Sequence, residues 1–394
     1  MNNTPESRYL MTTIYLIRHA EAEGNLYRRI HGWYDSLITE NGFRQIEALR
    51  RRFEGISIDA VYASDLYRTK TTARAVYEPK GLPLRIDPGL RELNLGEWED
   101  RTWGEMRHFR PLELDRFNAT DPSWQAPGGE GFGQLAARME EAVRRIAQNH
   151  PGQTVALFSH GMAIRQFTGW VKGVPPELWK DLNHSDNTAV TCVTWDGERF
   201  HAVFEGDNSH LGPSTSTLAR QSWWRREGGK AEDVNLWFRP LDMETESELY
   251  LQARQEAWLT VHGEGPEFDG EGFLQDALDH KARSPWGVTC VMRGSRPAGI
   301  LQLDPERYRK ENAGYIPFCY IMPGLRAQGL GVQLIGQAVS VYRPLGRDKL
   351  RLRCASYNTP AQHFYARYGF VKIGEEQGSR VPLDILEKYI GYDR

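Results

Sequence analysis

The segment IYLIRHAEAEGN, residues 14–25, places an apolar run directly before an arginine, a histidine, two acids and a glycine. A short apolar run bounded by polar residues is typical of a buried strand. From Thr12 to about Glu205, strand-like and helix-like segments alternate, and this part of the chain closes with a hairpin-like pair at 187–195 and 200–207. Such alternation predicts a sheet covered by helices on both faces, that is, a three-layer α/β/α domain.

The chain has 394 residues, more than a single hydrophobic core usually serves, so two domains are expected. We assign residues 1–11 to an N-terminal extension and residues 12–207 to the first domain. Residues 208–233, rich in Ser, Thr, Gly and charge, are predicted to be a connector, and 234–394 the second domain. In the second domain several strand-like runs surround a helix predicted at 243–261, and FVKIG, residues 370–374, is the predicted final strand.

Composition argues against several classes of protein. The formal net charge of -3 gives no sign of a basic surface for nucleic acid. No apolar stretch approaches the ~20 residues that cross a bilayer, and the polar N-terminus does not resemble a signal peptide. Four scattered cysteines without a C-x-x-C pair are typical of reduced core residues rather than metal ligands or disulfides. We therefore expect a cytoplasmic protein without nucleic-acid or membrane partners.

Polar side chains follow three of the strand-like runs in the first domain. Arg18 and His19 end the first, Arg68 lies in the first turns of the helix after IDAVYAS (58–64), and His160 follows TVALFS (154–159). In open α/β sheets ligands bind outside the carboxyl ends of the strands, so these residues are expected to converge. Two arginines, two histidines and helix N-termini would form an anion site suited to a phosphoryl group.

The reaction expected at this site is phosphoryl transfer without a metal. The sequence contains no Walker loop and no carboxylate cluster for Mg²⁺, which leaves imidazole as the nucleophile. Surrounding cations disfavour a protonated histidine, so the ring is expected to be neutral at pH 7. Glu92, in LRELNLGEWED (90–100), is the candidate acid for the leaving oxygen because it lies between a short apolar segment and a turn.

Five segments carry a resemblance to a known family. LIRHAEAEGN (16–25), SDLYRTKTTA (64–73), LRELNLGEWE (90–99), PGGEGFGQLAARM (127–139) and LFSHGMAIR (157–165) stand in the order seen in the histidine phosphatase superfamily, the phosphoglycerate-mutase-like fold. The resemblance covers about residues 12–205. It implies that His19 becomes phosphohistidine, that Arg18, Arg68 and His160 bind the phosphoryl oxygens, that Asn25 is a further donor and that Glu92 protonates the leaving group. The usual R-H-G reads R-H-A here, a difference of one methyl group.

Phosphatases and phosphomutases of this family share the phosphohistidine and differ in whether water or a second hydroxyl accepts the phosphoryl group. Mutases generally carry longer insertions between the acid and the second histidine, together with a tail over the site. Only residues 93–159 separate Glu92 from His160. The short form favours a phosphatase acting on a small phosphorylated metabolite; a mutase, or a pseudoenzyme in which His19→Ala changes nothing, is the alternative.

The second domain contains a glycine loop between a strand and a helix, in IMPGLRAQGLGVQLIGQAV (321–339). Glycines let the backbone approach a pyrophosphate closely, and a helix N-terminus adds N–H donors and a favourable dipole. The loop is neither the G-x-G-x-x-G dinucleotide motif nor a P-loop. A second segment, ASYNTPAQHFYARYGF (355–370), accompanies it.

Together these two segments resemble the GNAT acetyltransferase family, an α+β fold with a mixed, mostly antiparallel sheet, over about residues 234–394. The resemblance implies that the strand before the loop splays from its neighbour, that Asn358 lies by the cofactor and that Tyr365 protonates the departing thiolate. The acceptor would be a small amine or peptide. The residues implied in acetyl-CoA binding are Arg326, Gln328, Gly329, Leu330, Gly331 and Val332.

The general base of this second reaction is left open by the sequence. The strand AGYIPFCYIMP (313–323) contains no Asp, Glu or His, although relatives often place a carboxylate there. Tyr320, a chain of water molecules or Glu311 could take the proton. The alternative is a module that binds acetyl-CoA without transferring the acetyl group. The expectation favoured here is a bifunctional protein, with a metal-independent phosphatase followed by an acetyltransferase.

Overall fold

The computed structural model describes residues 10–221, 234–264, 267–378 and 380–392. The described chain divides into two compact units. The first comprises residues 10–25, 30–101 and 110–221, and the second comprises 26–29, 102–109 and 234–392. The short segments 26–29 and 102–109 thus group with the second unit, whereas the boundaries drawn from the sequence include both in the first domain.

The first unit is built on a six-stranded sheet in the order β3-β2-β4-β1-β5-β6. Its strands are β1 Thr12–Arg18, β2 Ala60–Ala63, β3 Leu84–Ile86, β4 Thr154–Ser159, β5 Val190–Trp195 and β6 Phe200–Asp207. Strands β1, β2, β3 and β4 run parallel, whereas β5 and β6 form an antiparallel hairpin. Arg18 pairs with Ser159 and Ala63 with Phe158, so β1, β4 and β2 end at one edge.

The helices as far as Gln221 are α1 Glu23–Tyr27, α2 Glu40–Phe53, α3 Tyr67–Lys80, α4 Trp103–Phe109, α5 Pro111–Asn118, α6 Phe132–Gln148, α7 Gly161–Val171 and α8 Thr217–Arg220. Of these, α4 and the end of α1 group with the second unit, and the others belong to the unit built on this sheet. The hydroxyl of Thr39 accepts from the Gly42 N–H and so caps the N-terminus of α2. One turn apart on α2, Leu49 and Phe53 enter a core with Phe158 of β4. Helices α4 and α5 have no counterpart among the segments assigned from the sequence.

The residues predicted as a connector, 208–233, divide into two parts. As far as Gln221 they pack on the first unit, and 222–233 lie outside the described residues. The buried carboxylate of Asp186 accepts from the Ser216 hydroxyl at 2.5 Å and from the N–H groups of Thr217 and Leu218 at 3.1 and 3.2 Å. The polar composition that suggested a loose connector therefore serves, up to Gln221, a network of buried hydrogen bonds.

The second unit is built on a seven-stranded sheet in the order β12-β13-β11-β10-β9-β8-β7. Its strands are β7 Leu236–Pro240, β8 Val288–Arg293, β9 Arg296–Asp304, β10 Ala313–Ile321, β11 Lys349–Ala355, β12 Val371–Gln377 and β13 Pro382–Tyr389. Its longer helices are α9 Ser247–His262, α10 Gly270–Arg283, α11 Val332–Tyr342 and α12 Thr359–Arg367. Only β10 and β11 pair in parallel, so the sheet is mixed and mostly antiparallel.

The sequence prediction omitted two elements of this unit. The strand at 370–374 is not the last one, because β13 follows it and lies between β12 and β11. Helix α10 was not assigned at all; it begins after Asp269, whose carboxylate accepts from the Gly272 N–H. No helix in the described ranges combines the length and the apolar composition that crossing a membrane requires.

Strands β10 and β11 separate partway along their length. They pair from Ala313 with Lys349 to Ile316 with Leu352, although β10 continues to Ile321 and β11 to Ala355. Pro317, which has no N–H to donate, stands where the pairing ends. The register with β9 also shifts between Tyr315 and Phe318. Residues 317–321 of β10 therefore border a gap in the sheet beside α11.

Candidate active sites

The two histidines predicted for the phosphoryl site face each other at the edge where the parallel strands end. The ring centroids of His19 and His160 are 5.3 Å apart, and both side chains are buried. The β1–β4 register explains this, since each histidine directly follows a paired residue, Arg18 on one strand and Ser159 on the other. The expected convergence of chain-distant strand ends is therefore found.

The hydrogen bonds of His19 determine which of its nitrogen atoms is available. Its Nδ1 lies 2.8 Å from the carbonyl oxygen of Ala20. A carbonyl oxygen only accepts, so Nδ1 carries the hydrogen and Nε2 keeps its lone pair. The Asn187 amide fixes the backbone of His19 through a 2.9 Å bond from Nδ2 to the His19 carbonyl oxygen. The ring is thus held as a neutral imidazole with a free Nε2.

His160 is held by a pair of hydroxyl groups. Its Nε2 lies 2.8 Å from Ser64 Oγ, which in turn lies 2.7 Å from Thr69 Oγ1. The buried Nδ1 has no hydrogen-bond partner among the described residues. With the Ser64 hydroxyl as donor to Nε2, Nδ1 carries the hydrogen and can donate to a ligand. Sequence reasoning missed Ser64; its place at the end of β2, the third converging strand, is the signal that could have found it.

Arg68 is fully buried and is held by carbonyl oxygens rather than by a close carboxylate. Its Nη1 donates to Tyr34 O at 3.0 Å, and its Nη2 donates to His31 O at 3.0 Å and Gly32 O at 2.6 Å. The Glu99 carboxylate fixes this same loop by accepting from the N–H groups of residues 32, 33 and 34. Since Asp35 lies 3.9 Å away and Nε has no partner in the described chain, the guanidinium keeps capacity for an anion.

Arg18 is fixed in a similar way on the other side of the site. Its Nη1 donates to Ser185 O at 2.5 Å, and its buried Nε has no partner among the described residues. A Cβ atom at residue 161 would lie 3.2 Å from that Nε, so Gly161 leaves room for the guanidinium. Asn25 stands nearby: its Oδ1 accepts from Ala22 N at 3.1 Å, which leaves its Nδ2 as the donor for a ligand.

Glu92 caps helix α7 from a distant loop. Its two oxygens accept from the N–H groups of Met162 and Ala163, each at 3.0 Å, and from its own neighbour Leu93 at 2.9 Å. The helix that begins at Gly161 follows His160 directly, so the capping carboxylate lies beside the phosphoryl site. Its charge also acts on Arg18 and Arg68. The structure therefore places Glu92 at the same edge of the sheet as His160.

A third imidazole, that of His31, completes the cluster. Its ring stands edge-on to that of His19 with centroids 5.6 Å apart, and its Nδ1 lies 3.1 Å from Ser36 Oγ. A Cβ atom at residue 24 would lie 2.3 Å from this ring, so only glycine fits there. The G in EAEGN is the sequence signal for this close approach.

All three imidazoles are held neutral. Burial lowers the pKa of His19, His31 and His160 well below the usual value, and the positive charge of Arg68 lowers each further. Since the unfolded chain has ordinary histidines, with a pKa of about 6.5, it binds more protons than the folded protein below that pH. Burial of these neutral rings is therefore fully compatible with folding above pH 6.5. As the pH falls below 6.5 toward the pKa values of the folded protein, the free energy of unfolding decreases.

We therefore expect the free energy of unfolding of the first unit to fall as the pH drops from 7 to 5. His210, whose pKa burial lowers to about 4, contributes in the same direction. The slope should reach up to about 1.4 kcal/mol per pH unit for each of these four histidines, about 5.5 kcal/mol per pH unit in all. Urea unfolding at a series of pH values, followed by tryptophan fluorescence, measures this slope. His31→Asn should flatten it by about a quarter, whereas a midpoint independent of pH between 5 and 7 would contradict neutral burial of these rings.

The glycine loop of the second unit offers unpaired backbone donors. Ala327 and Gly329 have φ angles of +60° and +74°, which turns the loop sharply before α11. Within the described chain, no hydrogen-bond acceptor lies opposite the N–H groups of residues 327–332. A concave run of free N–H groups at a helix N-terminus suits a pyrophosphate. The N–H groups of Gln328, Leu330, Gly331 and Val332 are thus available to a ligand.

The other residues predicted for the acetyl-CoA site differ in their roles. Tyr365 is buried beside Cys319 of β10, and burial raises the pKa of its hydroxyl well above 10. The hydroxyl therefore keeps its proton, and it lies next to the part of β10 that borders the gap. Asn358 instead caps α12, with Oδ1 accepting from Ala361 N at 3.3 Å. Arg326 is ion-paired with Glu256 at 2.6 Å.

The structure narrows the choice of general base. Glu311 pairs with Arg351 at 2.5 Å and precedes the start of β10, roughly 30 Å along an extended strand from Tyr320. Burial, followed by the charge of Glu256, raises the pKa of Tyr320 to about 12. Glu256, on α9, is paired with Arg326, whose guanidinium lies over the Tyr320 ring. The structure thus places a carboxylate of α9, which sequence reasoning did not single out, near Tyr320 of β10.

Comparison with known proteins agrees with the two units. Residues 14–208 match the family model of the histidine phosphatase superfamily (branch 1), and residues 248–370 match that of the acetyltransferase (GNAT) family. The "Probable phosphoglycerate mutase GpmB" of Photorhabdus laumondii is 35% identical over 220 residues, which cover 53% of this chain and 100% of that protein. Its counterpart in Erwinia tasmaniensis is 33% identical over 217 residues, 51% of this chain and 95% of that protein.

Among solved structures, one titled "Bacillus stearothermophilus YhfR" is 35% identical with a TM-score of 0.49. The match covers 51% of the present chain and 100% of the chain in that structure. A mycobacterial glucosyl-3-phosphoglycerate phosphatase is 25% identical with a TM-score of 0.47, and covers 50% of this chain and 99% of that chain. These proteins each match about half of the present chain.

Proposed function

The chain belongs to the histidine phosphatase superfamily through its N-terminal half and carries a GNAT domain in its C-terminal half, and from this premise we propose that it is a bifunctional enzyme. The first unit hydrolyses a small phosphomonoester through phosphohistidine, and the second transfers an acetyl group from acetyl-CoA to an amine. The observation that supports the first activity best is the free Nε2 of His19 beside two buried arginines, each with an unpaired Nε. Four free cysteines support the cytoplasm as its compartment.

In the first half-reaction the Nε2 lone pair of His19 attacks phosphorus, and the bond from phosphorus to the ester oxygen breaks. Arg18 and Arg68 bind the phosphoryl oxygens through their free Nε groups, and the Nδ1–H of His160 and the Nδ2 of Asn25 add neutral donors. These donors are held in place before substrate arrives, which is the arrangement that stabilises developing charge most effectively. Glu92, in its protonated form, gives its proton to the leaving oxygen and releases the alcohol.

In the second half-reaction a water molecule attacks the phosphorus of phosphohistidine. The Glu92 carboxylate accepts the proton of that water, and the bond from phosphorus to Nε2 breaks. Inorganic phosphate leaves, Nε2 recovers its lone pair and Glu92 is protonated again. Burial keeps the imidazole neutral between turnovers, so no proton has to be removed before the next attack.

A phosphomutase is the second candidate, because the GpmB relatives are named as probable phosphoglycerate mutases. The short segment between Glu92 and His160 supports the phosphatase instead. The two differ in product, so the full-length protein should be tested on a panel of phosphorylated metabolites that includes 3-phosphoglycerate. Accumulation of free phosphate supports hydrolysis, whereas isomerised phosphoester without free phosphate would establish the mutase.

The second unit holds acetyl-CoA, in our proposal, through the free N–H groups at 327–332. Bound acetyl-CoA supplies the activated acetyl group as a thioester. Tyr365 donates its proton on one face of β10, and Glu256 takes the proton of the amine on the other. Burial would raise the pKa of Glu256, but hydrogen bonds from Arg326 and Thr260 outweigh it and lower that pKa, so the group is ionised and ready to accept.

A negative charge in the glycine loop is expected to abolish this binding. Gly329→Glu places a carboxylate at a residue with φ +74°, where any side chain is strained, and opposes the anionic pyrophosphate. We expect the affinity for acetyl-CoA, measured by isothermal titration calorimetry, to fall about 100-fold or more.

Gly324→Glu is the matched control, because a Cβ atom there would meet nothing within 4 Å and the residue precedes the free N–H groups. Equal weakening by both substitutions would contradict this location of the pyrophosphate. Tight binding without transfer to any amine would instead support an acyl-CoA-sensing module.

A further inference from the structure

The face of β10 that carries Phe318 and Tyr320 holds an arginine between aromatic rings. The two rings are stacked with centroids 5.6 Å apart at 21°. The guanidinium carbon of Arg254, on α9, lies 4.0 Å from the Phe318 centroid and 4.7 Å from that of Phe273. Phe318 belongs to the part of β10 that has lost its β11 partner. The guanidinium therefore has a fixed orientation beside the gap in the sheet.

The hydrogen bonds of Arg254 leave one edge of its guanidinium unused. Its Nε donates to Tyr250 Oη at 2.9 Å, and its Nη2 donates to Oε1 of the fully buried Gln302. In the described parts of the chain, Nη1 has no hydrogen-bond acceptor. It is also not fully buried. Nη1 is therefore reachable from outside the protein.

The charge of Arg254 is not balanced by a nearby acid. Other arginines of this unit have ion pairs, such as Arg326 with Glu256 and Arg351 with Glu387, at 2.6 and 2.7 Å. For Arg254 no carboxylate of a described residue lies within 4.0 Å; Asp276 acts on it only from farther away. Holding a mostly buried cation without a partner is costly, and burial lowers its pKa. An anion arriving at Nη1 would relieve that cost.

We propose that Arg254 binds an acidic oxyanion group of the acetyl acceptor, so that the second unit acts on amines that also carry a carboxylate or a phosphate. This specificity rests on the acetyltransferase activity proposed above. Arginine suits the role because Nη1 and the second N–H of Nη2 lie on one edge of the planar guanidinium and can make two parallel bonds to an oxyanion. Glu256, two residues after Arg254 on α9, pairs with Arg326, which lies over the ring of Tyr320. Tyr320 is on the same face of β10 as Phe318, so Glu256 takes the amine proton on the side where Arg254 lies. The acceptor is thus held at its acidic end and deprotonated at its amino end.

The test compares binding of two amines that differ by one carboxylate, L-phenylalanine and phenethylamine, together with a second pair, β-alanine and ethylamine. Calorimetry on the full-length protein in the presence of free CoA reports binding without turnover. We expect at least one acid to bind about 10-fold or more tightly than its neutral partner. Arg254→Gln should remove that preference, and Arg254→Lys, which keeps the charge without the planar fork, should restore part of it.

Arg296→Gln is the matched control, since it removes the same charge from an exposed position on β9. It should leave the preference unchanged. Equal binding of acid and neutral amine, absence of binding by both acids, or a preference that persists in a folded Arg254→Gln variant would each overturn the proposal. An acid preference that depends on Arg254, in a protein that transfers no acetyl group, would support the binding site and refute the transferase.

Discussion

Replacing His19 with asparagine is expected to lower the rate of phosphate release from any accepted phosphomonoester by about 10⁴-fold or more. The reason is that the substitution removes the Nε2 lone pair that attacks phosphorus beside the two buried arginines, so the covalent route is lost. Asparagine can still donate to the Ala20 carbonyl, which keeps the local backbone contacts. Colorimetric phosphate release by the full-length protein is the measurement.

The matched control is His201→Asn, because His201 is an exposed histidine of the same unit that pairs with Asp196. It should leave the rate within about twofold. Unchanged turnover in a folded His19→Asn variant would contradict nucleophilic catalysis by His19. It would support the alternative that the protein is a pseudoenzyme.

Glu92→Gln is expected to produce the second large effect, and its size should depend on the leaving group. Alkyl phosphates need a proton on the departing oxygen and should slow by about 10²- to 10⁴-fold, whereas p-nitrophenyl phosphate, whose phenolate leaves unaided, should slow far less. The measurement is kcat/KM across a series of phosphate esters whose alcohols differ in pKa.

Glutamine also removes one acceptor from the N-terminus of α7, so a modest loss of stability, about 1–2 kcal/mol, should accompany the change. Glu97→Gln, an exposed change in the same segment, is the control. An equal loss across all leaving groups would indicate that Glu92 acts only as a cap and not as the acid.

The phosphoryl site was largely predictable because its parts follow a rule of α/β sheets. Arg18, His19 and His160 lie at strand ends that the parallel register brings to one edge, and Arg68 follows the next strand. The supporting residues were not predictable in this way. Glu99 and Asn187 act through the backbone of other loops, and nothing in their local sequence shows which N–H or carbonyl group they will reach.

In the second unit, too, some residues of the site were predictable from the sequence and others were not. Its glycine loop is recognisable because the turn requires particular residues, whereas Glu256 and Arg254 lie on a helix whose pattern does not show which face packs on the sheet. Strand β13 was missed because its charged residues, Asp384, Glu387 and Lys388, do not suggest an interior strand; in the sheet Asp384 pairs with Lys372 and Glu387 with Arg351. These ion pairs form only when the chain folds, and they allow charged side chains in an interior strand.

The location of the phosphoryl group during turnover decides whether His19 is the nucleophile. The full-length protein, mixed with an accepted substrate and quenched in alkali within milliseconds, should carry one phosphoryl group on a histidine. Peptide mapping by mass spectrometry should place it on His19, with ³¹P chemical shift identifying the Nε2 adduct. Phosphate bound to His160 or His31, or turnover with no phosphorylated protein at any time, would contradict the account.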